Sequence, residues 1–361
     1  MRLNPLAYKH LDRWVGRFLF PAEGRWRPDP QRPVDVYLSV CDHYEPEAEH
    51  ASQAEALARV DRWVTEYPRL FEGFRDSDGR PPLHTCFFPQ DQYRPEYLDR
   101  LKDLCDRGLA DVDVHLHHDN DTAEALTRKL AGFRDDLWNR HGLLRRDAAG
   151  NVVYGFIHGN WALCNSRDDG RWCGVNEEIA VLLSTGCYAD FTMPSAPSST
   201  QTPTINSIYY ARDNEGRPRG HHRGVRARVG QSPPAGRLLM VQGPLSLDWG
   251  SRKFGVLPRT ENADVHEFFP PTLRRFCNWL RTGVHVAGEP NQVFVKLHTH
   301  GCKPGNIDRW LGPSIQEFHR DVLAHVAASD GRLRLHYVSA WETACRIHEI
   351  EASLTTAAAA N

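Results

Sequence analysis

The fold class this sequence predicts is α/β, a single (β/α) barrel of seven or eight strands, with irregular or incomplete closure allowed. Three observations predict it. Short β-branched or aromatic runs end in polar residues, and each is followed by a stretch with helical periodicity, the pattern of parallel β/α units. Seven or eight such units fill residues 34–353 without an internal linker. The chain length of 361 residues suits one barrel-sized unit. A doubly wound open sheet is the structural alternative, and in either architecture ligands gather at the carboxyl ends of the strands.

The elements follow in order. The segment 1–33 reads as a helical extension packed on the barrel, through the amphipathic set Leu6, Leu11, Trp14, Val15, Phe18 and Leu19; a membrane surface is the other partner such a face accepts. VDVYLSV at 34–40 is the first strand, and 53–67 is its helix, with Ala54, Leu57, Val60, Trp63 and Val64 on one face. Then come LHTCFFP at 83–89 with helix 95–107, VDVHLH at 112–117 with helix 121–140, and VYGFIHG at 153–159 with helix 175–184. Asn120 and Asp121 read as caps of the helix that follows the third strand. After a strand at 187–193 the regular unit breaks. PSAPSSTQTPTINS is too rich in Pro, Ser and Thr for a helix, so 195–236 is expected to be a long excursion, carrying at most a short hairpin and covering the barrel mouth. RLLMVQGPLSLDW at 237–249, QVFVKLHTH at 292–300 and LRLHYVSA at 333–340 supply three more strands. Helices near 270–284 and 313–328 separate them, a last helix fills 340–353, and 354–361 reads as a frayed tail.

Composition excludes several classes. Hydrophobic residues at 40% and charged residues at 25% describe an ordinary globular chain. The net charge of −2, from 44 Lys and Arg against 46 Asp and Glu, provides no global field for nucleic acid or an anionic membrane. RPRGHHRGVRARVG is basic but has no interleaved aromatics, so no nucleic-acid partner is expected. There is no apolar run of transmembrane length, and the charged N-terminus lacks the core of a secretory signal. Nine cysteines without a C-x-x-C pair suit reduced thiols better than a disulfide framework or zinc ribbon, and a cytoplasmic location is expected.

The chemistry collects at strand ends. Seven of the 19 histidines fall there: His43, His115, His117, His118, His158, His298 and His300. DVDVHLHHDND is the sharpest signal. Strand alternation points Asp113, His115 and His117 one way, while His118 and Asp119 lie where the strand becomes a loop. Imidazole and carboxylate together suit one divalent transition ion, Zn²⁺ before Ni²⁺, Co²⁺ or Fe²⁺. Asp42 and His43 directly follow the first strand, so one can reach the metal and the other a bound water. His298 would face Asp42 across a closed barrel, placed as a general acid.

These residues resemble, in kind and chain order, the motifs of the polysaccharide deacetylases of carbohydrate esterase family four. The place of that family's opening Asp-Asp pair is taken by Asp42-His43 in SVCDHYEP, and its two histidines four residues apart correspond to His115 and Asp119. The resemblance implies Asp42 as base, His43, His115 and Asp119 as metal ligands, and His298 in VKLHTHG as acid. His117 or His118 stands as an alternative to Asp119, and Asp42 could itself bind metal. The middle motifs match YGFIHGNWALCNS and YADFTMPSAPSSTQ loosely, and there His158, Asn160 and Trp161, with His300 of the last motif, are expected to touch substrate. The implied activity is removal of an N-acetyl or related acyl group from a sugar or glycan precursor. A different metallohydrolase is the second enzyme reading, because DVHLHH and LHTH both hold a His-x-His pair. A non-catalytic carbohydrate-binding barrel is the third.

Overall fold

The computed structural model describes residues 8–22 and 24–353. Leu6 and the tail expected at 354–361 lie outside the described residues. The strands are β1 (Val34–His43), β2 (His84–Pro89), β3 (Ala110–Leu116), β4 (Arg145–Arg146), β5 (Val152–His158), β6 (Cys187–Asp190), β7 (Ile208–Ala211), β8 (Gly224–Arg226), β9 (Leu238–Val241), β10 (Ser246–Lys253), β11 (Leu257–Glu261), β12 (Gln292–Thr299) and β13 (Leu333–Tyr337). The helices are α1 (Val15–Leu19), α2 (Gln53–Phe71), α3 (Pro95–Asp106), α4 (Ala123–Asn139), α5 (Glu178–Ser184), α6 (Leu273–Thr282), α7 (Asn306–Trp310), α8 (Pro313–Ala327) and α9 (Ala340–Ala352).

Strands β12, β1, β2, β3, β5, β6 and β9 pair side by side, all parallel. β13 pairs with the first half of β1, over Val34–Leu38, and β2 with its last residues, Cys41–His43. Beyond β9 the sheet continues antiparallel through β7 to β8. Among the described residues no ladder joins β9 to β12. Single bonds span that region instead: Phe294 N donates to Val284 O (2.8 Å), Ala287 N to Ala227 O (2.9 Å) and Val229 N to Ala287 O (3.0 Å). The fold is therefore α/β with a large, mostly parallel sheet.

One expectation needs correction. RLLMVQGPLSLDW is two strands, not one, because Gly243-Pro244 interrupts it and Gly243 N turns away to Met193 O (3.1 Å). The 195–236 excursion is not wholly loop: it carries an antiparallel pair, β7 with β8, and Ile208–Ala211 enters the sheet as β7, while Gln201 Oε1 accepts from Ser195 N and Ala196 N, both at 2.8 Å.

Period-two alternation gives the sheet two faces. On β1, Val36, Leu38, Val40 and Tyr44 join the outer core against the helices, while Tyr37 and Cys41 join an inner core that also holds Ala344, Ile347 and Ile350 of α9. The helices present their apolar positions at helical spacing, as Ala56, Val60, Trp63, Tyr67 and Phe71 do on α2. α2 opens with a Ser52–Glu55 capping box and α9 with Ser339–Glu342. The cap of α4 is Thr122, whose side chain accepts from Ala125 N, and not Asn120 or Asp121. At the N-terminal extension Trp14 is buried with Ala196 and Leu245. Among the described residues no helix is long and apolar enough to cross a membrane, and the nine cysteines are all free.

Candidate metal centre

At the carboxyl ends of β1, β3 and β12, imidazoles gather around one carboxylate. His43, Glu45 and His300 bring ligand atoms within 4.8 Å of one another, and so do Glu45, His115 and His117. Glu45 Oε1 lies 3.3 Å from His115 Nε2 and 3.1 Å from His117 Nε2, while its Oε2 lies 2.8 Å from His300 Nδ1. The His43 ring centroid is 4.8 Å from that of His115 and 4.6 Å from that of His300. Trp161 lies over the group, its ring 6.0 Å from both His43 and His300. Its indole N–H is buried without a hydrogen-bond partner. Asn160 and Trp161 both have φ near 55° in the turn after β5.

The far nitrogens of the two β3 histidines are already held. His115 Nδ1 donates to Ile157 O at 2.8 Å, and His117 Nδ1 to Asp91 Oδ1 at 3.1 Å. Each ring thereby turns its Nε2 to the side facing Glu45, the outer-shell arrangement that orients metal-binding histidines. Gly159 makes room for this. A Cβ there would stand 2.4 Å from His117 Cδ2 and 2.6 Å from Leu116 O.

Electrostatics follow the packing. Burial pushes the Glu45 carboxyl up, but His300, His115 and His117 outweigh it and hold it well below the usual range. Burial pulls His43 and His115 down, so both are neutral. At His117 burial is overcome by hydrogen bonds to Asp91 and Glu45, which raise it to about 10; at His300 burial is overcome by Glu45. A cation is thus welcome at Glu45, and neutral imidazoles stand ready beside it. The donor set fits a divalent transition ion.

Three expected site residues face elsewhere. Asp42 is one residue from His43 and so lies on the opposite face of β1. It is fully buried among the helices, where Oδ2 pairs with His84 Nε2 at 2.8 Å and Oδ1 accepts from Gly301 N at 2.6 Å. A Cβ at Gly301 would stand 2.1 Å from Asp42 Oδ2, so only glycine allows that contact. Asp119 is exposed and pins a loop: its Oδ1 accepts from Trp172 N at 2.6 Å and Asn120 N at 3.0 Å. His158 shares the outer face of β5 with Phe156, and its Nε2 lies 2.8 Å from His118 Nε2. These two imidazoles meet Cys173 and Glu178, and the four ligand atoms also lie within 4.8 Å of one another, all four residues being buried. His298 keeps its inward direction beneath His300, 4.0 Å from Asp264 Oδ1. Burial pushes it down to about 3, so at neutral pH it is the neutral imidazole and not the imidazolium that a general acid needs.

Neither a protein-family model nor a curated protein sequence matches this chain. Solved structures that match include a 4-alpha-glucanotransferase from Thermococcus litoralis, at 12% identity and TM-score 0.44 over 86% of this chain and 40% of that one. An alpha-mannosidase from Enterococcus faecalis V583 matches at 10% identity and TM-score 0.46, over 88% of this chain and 29% of that one. The chain therefore spans less than half the length of each.

The strand-end reading passes through Glu45 and Asp91 without giving either a role, and it misses Cys173, Glu178 and Asp264. Parity could have found the first: Glu45 is two residues beyond His43, as His117 is two beyond His115. Asp91 follows β2 as His117 follows β3, on neighbouring strands. No local signal marks Cys173, Glu178 or Asp264. A large groove lined by Trp26, Arg223, Trp249 and Arg274 includes none of the clustered histidines.

Proposed function

We propose that this chain is a metal-dependent hydrolase whose ion is held among His43, Glu45, His115, His117 and His300, acting on a carbohydrate that carries an N-acetyl or related acyl group. The supporting observation is the convergence of four imidazoles on the Glu45 carboxylate at the carboxyl ends of parallel strands. A divalent transition ion, Zn²⁺ by this donor set, would supply Lewis acidity and a water of lowered pKa. Ile157 O and Asp91 hold the His115 and His117 rings in the orientation that directs Nε2 inward. Asp264, whose charge acts on both His298 and His300, takes the proton-accepting place that the family resemblance gives to Asp42. The buried Trp161 N–H has an open position for a substrate oxygen, and the indole face suits a sugar ring. The amide as scissile bond rests on the resemblance.

One observation favours a second reading. Glu45 turns Oε1 to His115 and His117 and Oε2 to His300, the disposition of a carboxylate bridging two ions. The count separates the two: elemental analysis compares the wild-type chain with Glu45→Gln. Loss of one equivalent in the variant supports a mononuclear deacetylase and justifies assaying acetate release from N-acetylated sugars. Loss of two supports a binuclear hydrolase, and no loss overturns both.

A further inference from the structure

We infer that His118, His158, Cys173 and Glu178 form a second, closed metal site of the structural zinc type, which locks the 159–177 loop onto the outer face of the sheet. The site is distinct from the one at Glu45. Its four side chains are buried, and it lies on the other side of β3 and β5.

The convergence of four buried ligand atoms carries the argument. His158 Nδ1 donates to Gly159 O, which leaves its Nε2 as a lone pair. That lone pair faces His118 Nε2 at 2.8 Å. His118 Nδ1 lies 3.3 Å from Asp121 Oδ2 but makes no hydrogen bond there, so a proton on His118 Nε2 bridges the two facing nitrogens. A divalent cation can take the place of that proton, bound by both nitrogens, because metal binding to imidazole and thiol ligands releases protons. Glu178 Oε1 sits 3.3 Å from His118 Nε2 and 3.4 Å from His158 Nε2, and Cys173 Sγ is 3.4 Å from Glu178 Oε2. A tetrahedral zinc with bonds of about 2.0 to 2.3 Å has ligand edges of about 3.3 to 3.6 Å. The nitrogen and oxygen edges match that once the two nitrogens part by a few tenths of an ångström, and Cys173 Sγ completes the group within 4.8 Å.

The sulfur supplies an independent observation. Asn165 N and Val175 N both donate to Cys173 Sγ, at 3.3 and 3.4 Å. A thiol is a weak acceptor, and two backbone donors suit a thiolate. Charge balance agrees: a thiolate, a carboxylate and two neutral imidazoles exactly neutralise a divalent ion, which a low-dielectric interior requires. Outer-shell groups are present too: Gly159 O accepts from His158 Nδ1, Cys164 N donates to Glu178 Oε2 at 2.6 Å, and the Asp121 carboxylate lies 3.3 Å from His118 Nδ1. With four protein ligands no position remains open, so the site holds structure rather than substrate.

The test uses cobalt as probe. The full chain is expressed in cobalt-supplemented minimal medium and its near-ultraviolet and visible spectrum recorded. Among the described residues, Cys173 is the only thiol in any group able to hold a metal, so a thiolate-to-cobalt charge-transfer band reports this site alone. The expected result is that band in the wild type at one equivalent, retained in Glu45→Gln and lost in Cys173→Ser. A folded wild-type chain without the band overturns the inference whether or not Cys173→Ser folds, and so does a band that survives Cys173→Ser. The reading at Glu45 fails separately, through an unchanged metal count in Glu45→Gln.

Discussion

His117 and His118 are consecutive residues with opposite surroundings. His117 turns to the inner side, where it and His300 keep 27% and 21% of their side-chain surface open beside Glu45. His118 turns outward into a cluster with no side-chain exposure at either imidazole or at Glu178. Strand alternation alone divides the run of imidazoles, and on the reading proposed above the division separates chemistry from architecture. A group around one shared carboxylate that solvent reaches can exchange ligands for substrate. A sealed set of four donors cannot.

The largest expected effect breaks the two clusters apart functionally. Glu45→Gln removes the anion common to both inner triads, and kcat/KM is expected to fall about 1,000-fold, roughly 4 kcal/mol of transition-state stabilisation, with little change in the urea midpoint. Glu178→Gln is expected to do the converse, lowering the midpoint strongly. Equal loss of stability in both variants would erase the distinction.

Asp42 sharpens the same contrast between faces. Its carboxylate and His84 form a pair with 0% and 1% side-chain exposure, packed against Trp63 and Trp310. Asp42→Leu is expected to cost about 3 kcal/mol of stability by stranding His84, and Asp42→Leu with His84→Leu to recover part of it. Metal content should not change in either. A variant that stays as stable as the wild type but loses metal would return Asp42 to the inner site. Smaller still is Asp91→Asn: with the His117 ring orientation no longer enforced, metal affinity measured by chelator competition should drop about 10- to 100-fold.

Much of this arrangement was legible from residues alone. The apolar runs at β1, β2, β3, β5 and β12 mark themselves by β-branched and aromatic density, and their polar ends hold His43, His115 and His300. β7 escaped notice because IYYA is short and embedded among Pro, Ser and Thr. The β10–β11 hairpin did too, since Trp249, Phe254, Val256 and Leu257 are exposed and leave no alternation to read. Within the site, chain proximity misled where parity would have served. Asp42 adjoins His43, yet Glu45 shares its side. Cys173 and Glu178 lie 55 and 60 residues beyond His118, on a loop and at the start of α5, and only the packing of that loop brings them together.

A third buried histidine tests whether the outer cluster differs from ordinary burial. His319 sits among Phe71, Phe74, Phe318 and Tyr337, with Nδ1 2.7 Å from the Tyr337 hydroxyl, and it needs no ion. Burial alone depresses it from 6.5 to about 3. Its folded pKa lies below the unfolded one, so between those values the unfolded chain binds a proton that the folded chain refuses. The stability it contributes is present above the unfolded pKa and lost as pH falls, by about 1.4 kcal/mol per pH unit once below it. His319→Gln keeps a partner for Tyr337 and removes the titration. Between about pH 7 and about pH 5.5 the wild-type urea midpoint should therefore fall further than the variant's, by about 1 kcal/mol. Parallel profiles would mean that the acid sensitivity of this chain lies in its metal clusters instead.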